Sequence, residues 1–228
     1  MSVSSAFLSL YDKAANPAFA GHTVTHGTFD VTEHEQNATL TVLRVNKAGA
    51  EFVSFNHDLV KGMKDMTETR SSYLHDSDCD GIAFVSHNNA EGIVVAELKS
   101  RFSTKHICKA YSQIVFSFLK LHAMLSLCNG YAVDGLTIHF VVSCKCFQDE
   151  LQEESVMNFI SKAEMANPDS FEGKLLRKLV SKHRMTIKVG EIASMYGLVI
   201  NPDIADKDIT LALQLTNAYA DNSALYVM

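Results

Sequence analysis

Three residues carry most of the chemistry this sequence offers: Asp80, Glu97 and Lys99. In GIVVAELKSRF, residues 92–102, an apolar run ends in an acid and a base two positions apart. Residues two apart in a strand share a face, so Glu97 and Lys99 point the same way. Asp80 opens DGIAFVS, a second β-rich run, and HNNAE between the two is an Asn-rich hairpin signal. A hairpin sets the start of one strand beside the end of the other, which brings Asp80 within reach of Glu97 and Lys99. Two carboxylates converging at a sheet end make a hard, anionic oxygen site that suits Mg²⁺ or Mn²⁺. The Leu98 carbonyl could add another oxygen. Such an ion polarises a phosphoryl oxygen and acidifies water, and a lysine beside it positions that water or balances charge in the transition state. The plainer alternative is an edge-strand ion pair between Glu97 and Lys99. Glu172-Gly173-Lys174 repeats the bare Glu-x-Lys pattern without a partner Asp, so the hairpin context carries the signal.

The elements that must position these residues show as patterns. STKHICKAYSQIVFSFLKLHAMLSLC is the clearest helix, with Ser103 or Thr104 available as its cap. Apolar residues cover much of its circumference, so it packs on more than one side. GLTIHFVVSCKCF is almost wholly apolar and reads as a central strand. Upstream, SVSSAFLSLYDKAA is a short helix, and HTVTHGTFDV with ATLTVLRVN is a Thr- and Val-rich pair of strands. EFVSFNHDLVKGMKDMTETRSSYL spaces Phe52, Phe55, Leu59, Met63 and Met66 at 3, 4, 4 and 3, which predicts a helix. Downstream, DELQEESVMNFISKAEMA is an acidic amphipathic helix, SFEGKLLRKLVSKH a basic one, and VGEIASMYGL a short helix closed by Gly197. DITLALQLTNAY fits helix or strand. The pattern predicts a mixed α/β (α+β) fold with a central mixed sheet flanked by helices. Residues 1–50 read as an N-terminal helix and strand extension, 51–147 as the core, and 148–228 as a helical and mixed extension packed on it, within one domain overall.

CDGIAF, IVVAELKSRF and KAYSQIVFSF, in that order, resemble the PD-(D/E)XK nuclease superfamily in its restriction-endonuclease-like and RecB-like forms. The family pattern is an Asp opening a strand, Glu-x-Lys on the next, then a long helix that often carries a Gln. Asp80 matches the motif Asp, Glu97 and Lys99 the Glu-x-Lys, and Gln113 the helix glutamine. Many members carry a further acid on a preceding helix, and Glu68 is the candidate for it. The resemblance spans roughly residues 55–146. It implies a restriction-endonuclease-like αβββαβ core, Mg²⁺ or Mn²⁺ held by Asp80 and Glu97, and endo- or exonucleolytic hydrolysis of phosphodiester bonds in DNA. Lys99 would position or activate the water, Gln113 would orient substrate or Lys99, and Glu68 would assist. Two features depart from the pattern. Cys79, not Pro, precedes Asp80, and Asp76 and Asp78 compete for the motif role. No strand is evident just before the Asp strand unless SSYLHDS supplies it. The alternative reading is a catalytically inactive protein of this fold, a nucleic-acid- or protein-binding module.

The net charge of −6 argues against nucleic-acid binding through bulk electrostatics, so any phosphate contact must be local. Arg101, Lys105 and Lys109 run from the motif strand into the long helix and are the candidate nucleic-acid contacts. A second basic cluster, Lys174, Arg177, Lys178, Lys182, Arg184 and Lys188, either follows a phosphate backbone or pairs with the acidic helix. The five cysteines lack C-x-x-C spacing and read as free thiols, and the ten histidines show no helical H-x-x-x-H. No phosphate-binding G-x-x-x-x-G-K-[ST] or nucleophile-elbow G-x-S-x-G occurs. No apolar run reaches membrane-spanning length, and no basic segment introduces a signal-like one. The expectation is therefore a cytoplasmic protein with no membrane partner, and a homodimer is an open option.

Overall fold

A computed structural model describes residues 2–14, 21–56, 60, 78–147, 149–216 and 222–228. Helix α1 (Val3–Ala14) leads into strands β1 (His22–Thr32) and β2 (Val42–Phe55), followed by β3 (Gly81–His87) and β4 (Ala90–Lys99). Helix α2 (Thr104–Leu125) crosses to β5 (Leu136–Lys145), and then come α3 (Glu150–Ala166), α4 (Arg177–Lys182) and β6 (Arg184–Lys188). Helices α5 (Val189–Met195) and α6 (Pro202–Ala205) precede β7 (Asp208–Thr216) and β8 (Ser223–Val227). All eight strands join one mixed sheet of order β1-β2-β3-β4-β5-β7-β6, with β8 parallel to the first half of β2. Strands β1 to β4 form an antiparallel meander, whereas β4, β5 and β7 are parallel. The mixed α/β fold expected from the sequence is the one the chain adopts.

Asn88 and Asn89 make the tight β3–β4 turn, with φ of 49° and 62°. Asn tolerates this left-handed region, and a two-residue loop of that kind matches the natural twist of the strands. The turn fixes His87 opposite Ala90 and carries the register back to Gly81 opposite Ala96. Helix α2 begins where Ser103, extended at φ −154°, accepts a hydrogen bond from the His106 amide. It buries residues along its whole length, as the all-round apolar pattern requires. Strand β5 lies between β4 and β7, the central place its continuous apolar run demands.

Alternation along the strands divides the interior into two cores. Ile82, Phe84, Ile93, Val95, Phe140 and Val142 face the helices. Ala83, Val85, Val94, Ala96 and Val141 face the other way, against Phe29, Leu43, Val45 and Tyr226 of β1, β2 and β8. The bulge between His26 and Thr28 interrupts the β1–β2 register between these two parts of the hairpin.

The helix predicted from Phe52 onward is not where the spacing puts it. Phe52 and Phe55 belong to β2, paired with β1 and β3. Phe52 is fully buried in the second core, and Phe55 packs on Phe7 with ring centroids 4.9 Å apart. Residues three apart share a helical face but lie on opposite faces of a strand, and sheet pairing overrode the helical spacing, with Phe52 in the second core and Phe55 against the first. Leu59, Met63, Met66 and the SSYLHDS segment lie outside the described residues. Strand β2 is the one that pairs ahead of the Asp80 strand, a place the sequence left empty. DITLALQLT, open between helix and strand, is strand β7 between β5 and β6. The basic C-terminal helix begins as a π-helical turn over Glu172–Leu176 before α4. Among the described residues, no helix is long and apolar enough to cross a membrane.

One glycine governs how closely β1 approaches the motif strand. A Cβ on Gly81 would sit 2.8 Å and 2.9 Å from the Val31 methyls. Gly81→Ala should therefore destabilise the fold by about 1–3 kcal/mol through overpacking. Adding Val31→Ala should recover part of that loss, read as the urea midpoint of the double variant.

Candidate active site

Asp80 precedes β3 directly opposite the end of β4. Its amide donates to the Ala96 carbonyl at 3.1 Å, and its Oδ2 accepts from the Leu98 amide at 2.7 Å. Leu98 thus contributes its N–H to the site. This pair of bonds holds the Asp80 carboxyl at the end of β4, where it and the Glu97 carboxyl influence each other electrostatically. Glu97 is only 1% exposed although it carries a carboxylate. Its Oε1 accepts from the Lys99 ammonium, and no donor reaches its Oε2. The hairpin reading is realised: Asp80, Glu97 and Lys99 meet on the helix-facing side of the sheet end.

The electrostatics follow from this crowding. Burial raises the Asp80 carboxyl from its ordinary 3.8 to about 6, opposed by the Leu98 amide and Lys99 and reinforced by Glu33. Burial also holds the Glu97 carboxyl well above the usual range; Asp80 pushes it the same way, and Lys99 opposes. Two neighbouring carboxylates in a dry site cannot both stay ionised without a proton or a cation to offset them. An orphaned, buried carboxylate oxygen beside a second carboxyl is the donor chemistry a hard divalent ion takes, so Asp80 and Glu97 fit Mg²⁺ or Mn²⁺. Among the described residues no set of three His, Cys or acidic side chains closes around one point. Glu68, assigned to assist, lies outside the described residues, as do His75 and Asp76.

Gln113 makes a contact that the sequence reading did not foresee. Its Nε2 donates to the Asp78 carbonyl at 2.8 Å, so it holds the chain just ahead of Asp80. Four residues along α2, Ser117 Oγ accepts from the Cys79 amide at 2.9 Å. Three further on, Lys120 reaches the Asp78 carboxylate at 2.9 Å, with Lys120 7% and Asp78 17% exposed. Positions 113, 117 and 120 lie on one face of a helix. Three contacts from that face fix residues 78 and 79 and thereby aim Asp80. They also settle the competition within the described residues: Asp78 is committed to Lys120, and Asp80 meets Glu97. The Cys79 thiol is buried, and burial pushes its pKa up, so it has no nucleophilic part here.

Arg101, Lys105 and Lys109 are exposed around the start of α2. Burial lowers the pKa of His106 among them, and the positive charges of Arg101, Lys99, Lys105 and Lys109 add to the shift. These cations therefore form one cluster with Lys99 at a helix N-terminus that has no acidic residue in its first turn. The second basic cluster is partly spent on pairing. Arg177 binds Glu164 of α3 at 2.8 Å, Lys174 binds Glu191 at 3.1 Å and Lys188 binds Asp206 at 2.7 Å.

The sequence reading missed two parts of this site. Lys120 was not among the sequence candidates. Glu33, just past β1, adds negative potential at both carboxyls. Comparison with protein-family models, curated proteins and solved structures gave no match.

The raised Asp80 pKa sets a sign for pH dependence. Between about pH 4 and 6 the folded chain binds more protons than the unfolded one, so this group's contribution to stability falls as pH rises. Asp80→Asn keeps an acceptor for the Leu98 amide and removes the titration. Its stability relative to wild type should therefore rise by on the order of 3 kcal/mol from pH 4 to pH 7 without divalent ions, measured by denaturant unfolding at each pH. Lys120→Met should cost about 3 kcal/mol by leaving Asp78 buried and unpaired, and Lys120→Met with Asp78→Asn should recover much of it.

Proposed function

We propose that this chain is a metal-dependent nuclease that hydrolyses phosphodiester bonds in DNA. The observation that carries the reading is the Asp80–Glu97 pair: two electrostatically coupled carboxyls at one strand end, one buried oxygen without a donor, and a lysine on the same strand face. The strand order adds support, with an antiparallel β2-β3-β4 meander and a helical crossover to parallel β5. That order is consistent with the βββαβ part of the αβββαβ arrangement which the PD-(D/E)XK resemblance implies, although strand β1, not a helix, directly precedes β2.

Asp80 and Glu97 would hold the Mg²⁺ or Mn²⁺ ion. When bound, a divalent ion supplies Lewis-acid polarisation of the phosphoryl oxygen and a lower pKa for water. The chain's own groups do the rest. Leu98 N–H holds the Asp80 carboxylate in place and favours its ionised form. Lys99, 20% exposed and anchored at the strand end, can swing its ammonium from Glu97 toward the attacking water or the phosphate charge. Gln113 and Lys120 keep Asp80 aligned through residues 78 and 79. Arg101, Lys105 and Lys109 would lie along the substrate backbone, with the free amides at the start of α2 adding positive potential.

The direct Lys99–Glu97 contact favours a second reading. If that pair never opens, the chain is a binding module on a nuclease-like fold.

Purified protein incubated with linear, nicked, branched and single-stranded DNA separates the two readings. Cleavage should require Mg²⁺ or Mn²⁺, stop with EDTA, vanish in Asp80→Ala and fall about 100-fold or more in Lys99→Ala. Undiminished cleavage in Lys99→Ala would overturn the assigned role of that lysine. Binding without cleavage of any substrate would select the second reading.

A further inference from the structure

Helix α3 is attached to the body of the protein along one narrow side. Of its 17 residues only Ile160 is fully buried, and Val156 and Met157 pack half-buried against the main core. Arg177 holds the inner side through Glu164 at 2.8 Å and Ser161 Oγ at 2.6 Å. The outer side carries Leu151, Phe159 and Met165, which are 76%, 49% and 85% exposed. They are three of the eight large apolar side chains exposed among the described residues, so this helix gathers what a surface normally scatters. A surface depression beside them is lined by Leu151, Glu154, Ser155, Asn158, Phe159 and Lys162. Glu154 and Lys162 are exposed, and neither has an ion-pair partner among the described residues. Eight residues separate them, about 12 Å along the helix, which puts them out of reach of each other within one chain. Steps of 3, 4, 4 and 3 run from Leu151 through Glu154, Asn158 and Lys162 to Met165 and keep all five on one helical face. The steps read the same from either end, and Asn158 is their midpoint.

We infer that the outer face of α3 is a self-association surface, on which a second copy of this chain docks its own α3 antiparallel across a two-fold axis at Asn158. The inference stands apart from the nuclease reading. That axis sets Leu151 against the partner's Met165 and Glu154 against the partner's Lys162, and the reciprocal contacts follow because the interface is isologous. Both unpaired charges of the face are thus met by their opposites, twice in each dimer. A parallel copy would set Glu154 against the partner's Glu154 and Lys162 against the partner's Lys162, so charge selects the antiparallel arrangement. Asn158 falls on the axis, where an amide that both donates and accepts can satisfy its own copy. A single asparagine in an apolar helix seam is also a device that fixes register. Two helices about 25 Å long make an interface at the small end of the specific range, so the dimer is a reversible one.

The test is sedimentation equilibrium of the full chain from micromolar to submillimolar concentration, comparing wild type with Glu154→Lys, Lys162→Glu, the double reversal and Leu151→Ser. All three positions are exposed, and circular dichroism checks that each variant keeps the fold. Wild type should pass from monomer to dimer across that range. Either single reversal should weaken the dimer about 10-fold or more, because like charges then face each other. Leu151→Ser should weaken it about 10-fold or more through lost apolar burial on both copies. The double reversal within one chain should restore the wild-type dimer. Mixing the two single variants should give a heterodimer tighter than either homodimer. A wild type that stays monomeric throughout would overturn the inference. A dimer indifferent to both single reversals and to Leu151→Ser would place the contact on another face and overturn it as well. Weakening by the single reversals with no recovery in the double variant would overturn the antiparallel arrangement, and the inference with it.

Discussion

Two carboxyl groups held against each other at the dry end of a sheet are the constraint around which the rest of this molecule is arranged. Glu97 sits on the same strand face as Ile93 and Val95, two positions beyond the latter, and that face packs against helix α2. Water solvates it little, so its charge must be met by protein or by an ion. Lys99 meets one oxygen and Asp80 approaches the same carboxyl. The arrangement raises the free energy of the ionised pair, which a fold tolerates only where surrounding structure over-determines the geometry. That surrounding structure consists of the β3–β4 register, the Leu98 amide and the tethering face of α2.

Helix α2 links the two halves of the site. Its N-terminal turn presents cations and free amides beside Lys99, and its middle turns hold residues 78 and 79. A single rigid helix thus sets the distance between the carboxylate pair and the cationic rim. Lys120 is the costliest member of this link, a buried ammonium whose only justification in the fold is the Asp78 carboxylate. Gln113 and Ser117 satisfy a carbonyl and an amide at the point where the chain enters β3 and would otherwise leave them buried. Positioning by backbone capture is more precise than positioning by side-chain contact, because it fixes where the Asp80 Cα lies before the side chain turns.

The local parts of this design were legible in the sequence. Asn-Asn between β-rich runs specified a tight hairpin, and the hairpin geometry alone put Asp80 against Glu97 and Lys99. Ser103 ahead of an apolar helix specified where α2 begins. Properties that depend on distant partners were not legible. Phe52 and Phe55 have helical spacing, and pairing with β1 and β3 overrides it. Val31 and Thr39 look ordinary until the β1–β2 hairpin brings them to Gly81 and Ser100. The contact that Gln113 makes was not legible for the same reason: its partner is a backbone carbonyl 35 residues away, which no side-chain pattern announces.

Lys99 explains why an acid and a base close an otherwise apolar strand. The Lys99 ammonium meets the Glu97 carboxyl and offsets part of the negative charge that the two carboxyls would carry. Under the proposed function, a divalent ion held by Asp80 and Glu97 would take over part of that role, and Lys99 would be available at the strand end beside the exposed Arg101, Lys105 and Lys109. One residue would then serve as internal counter-ion in the unloaded site and as a donor toward substrate in the loaded one. Arg would fill the first role but could not turn as readily to the second, since its fork geometry binds a carboxylate with two parallel bonds. The choice of lysine is therefore what a site needs when its counter-ion must let go.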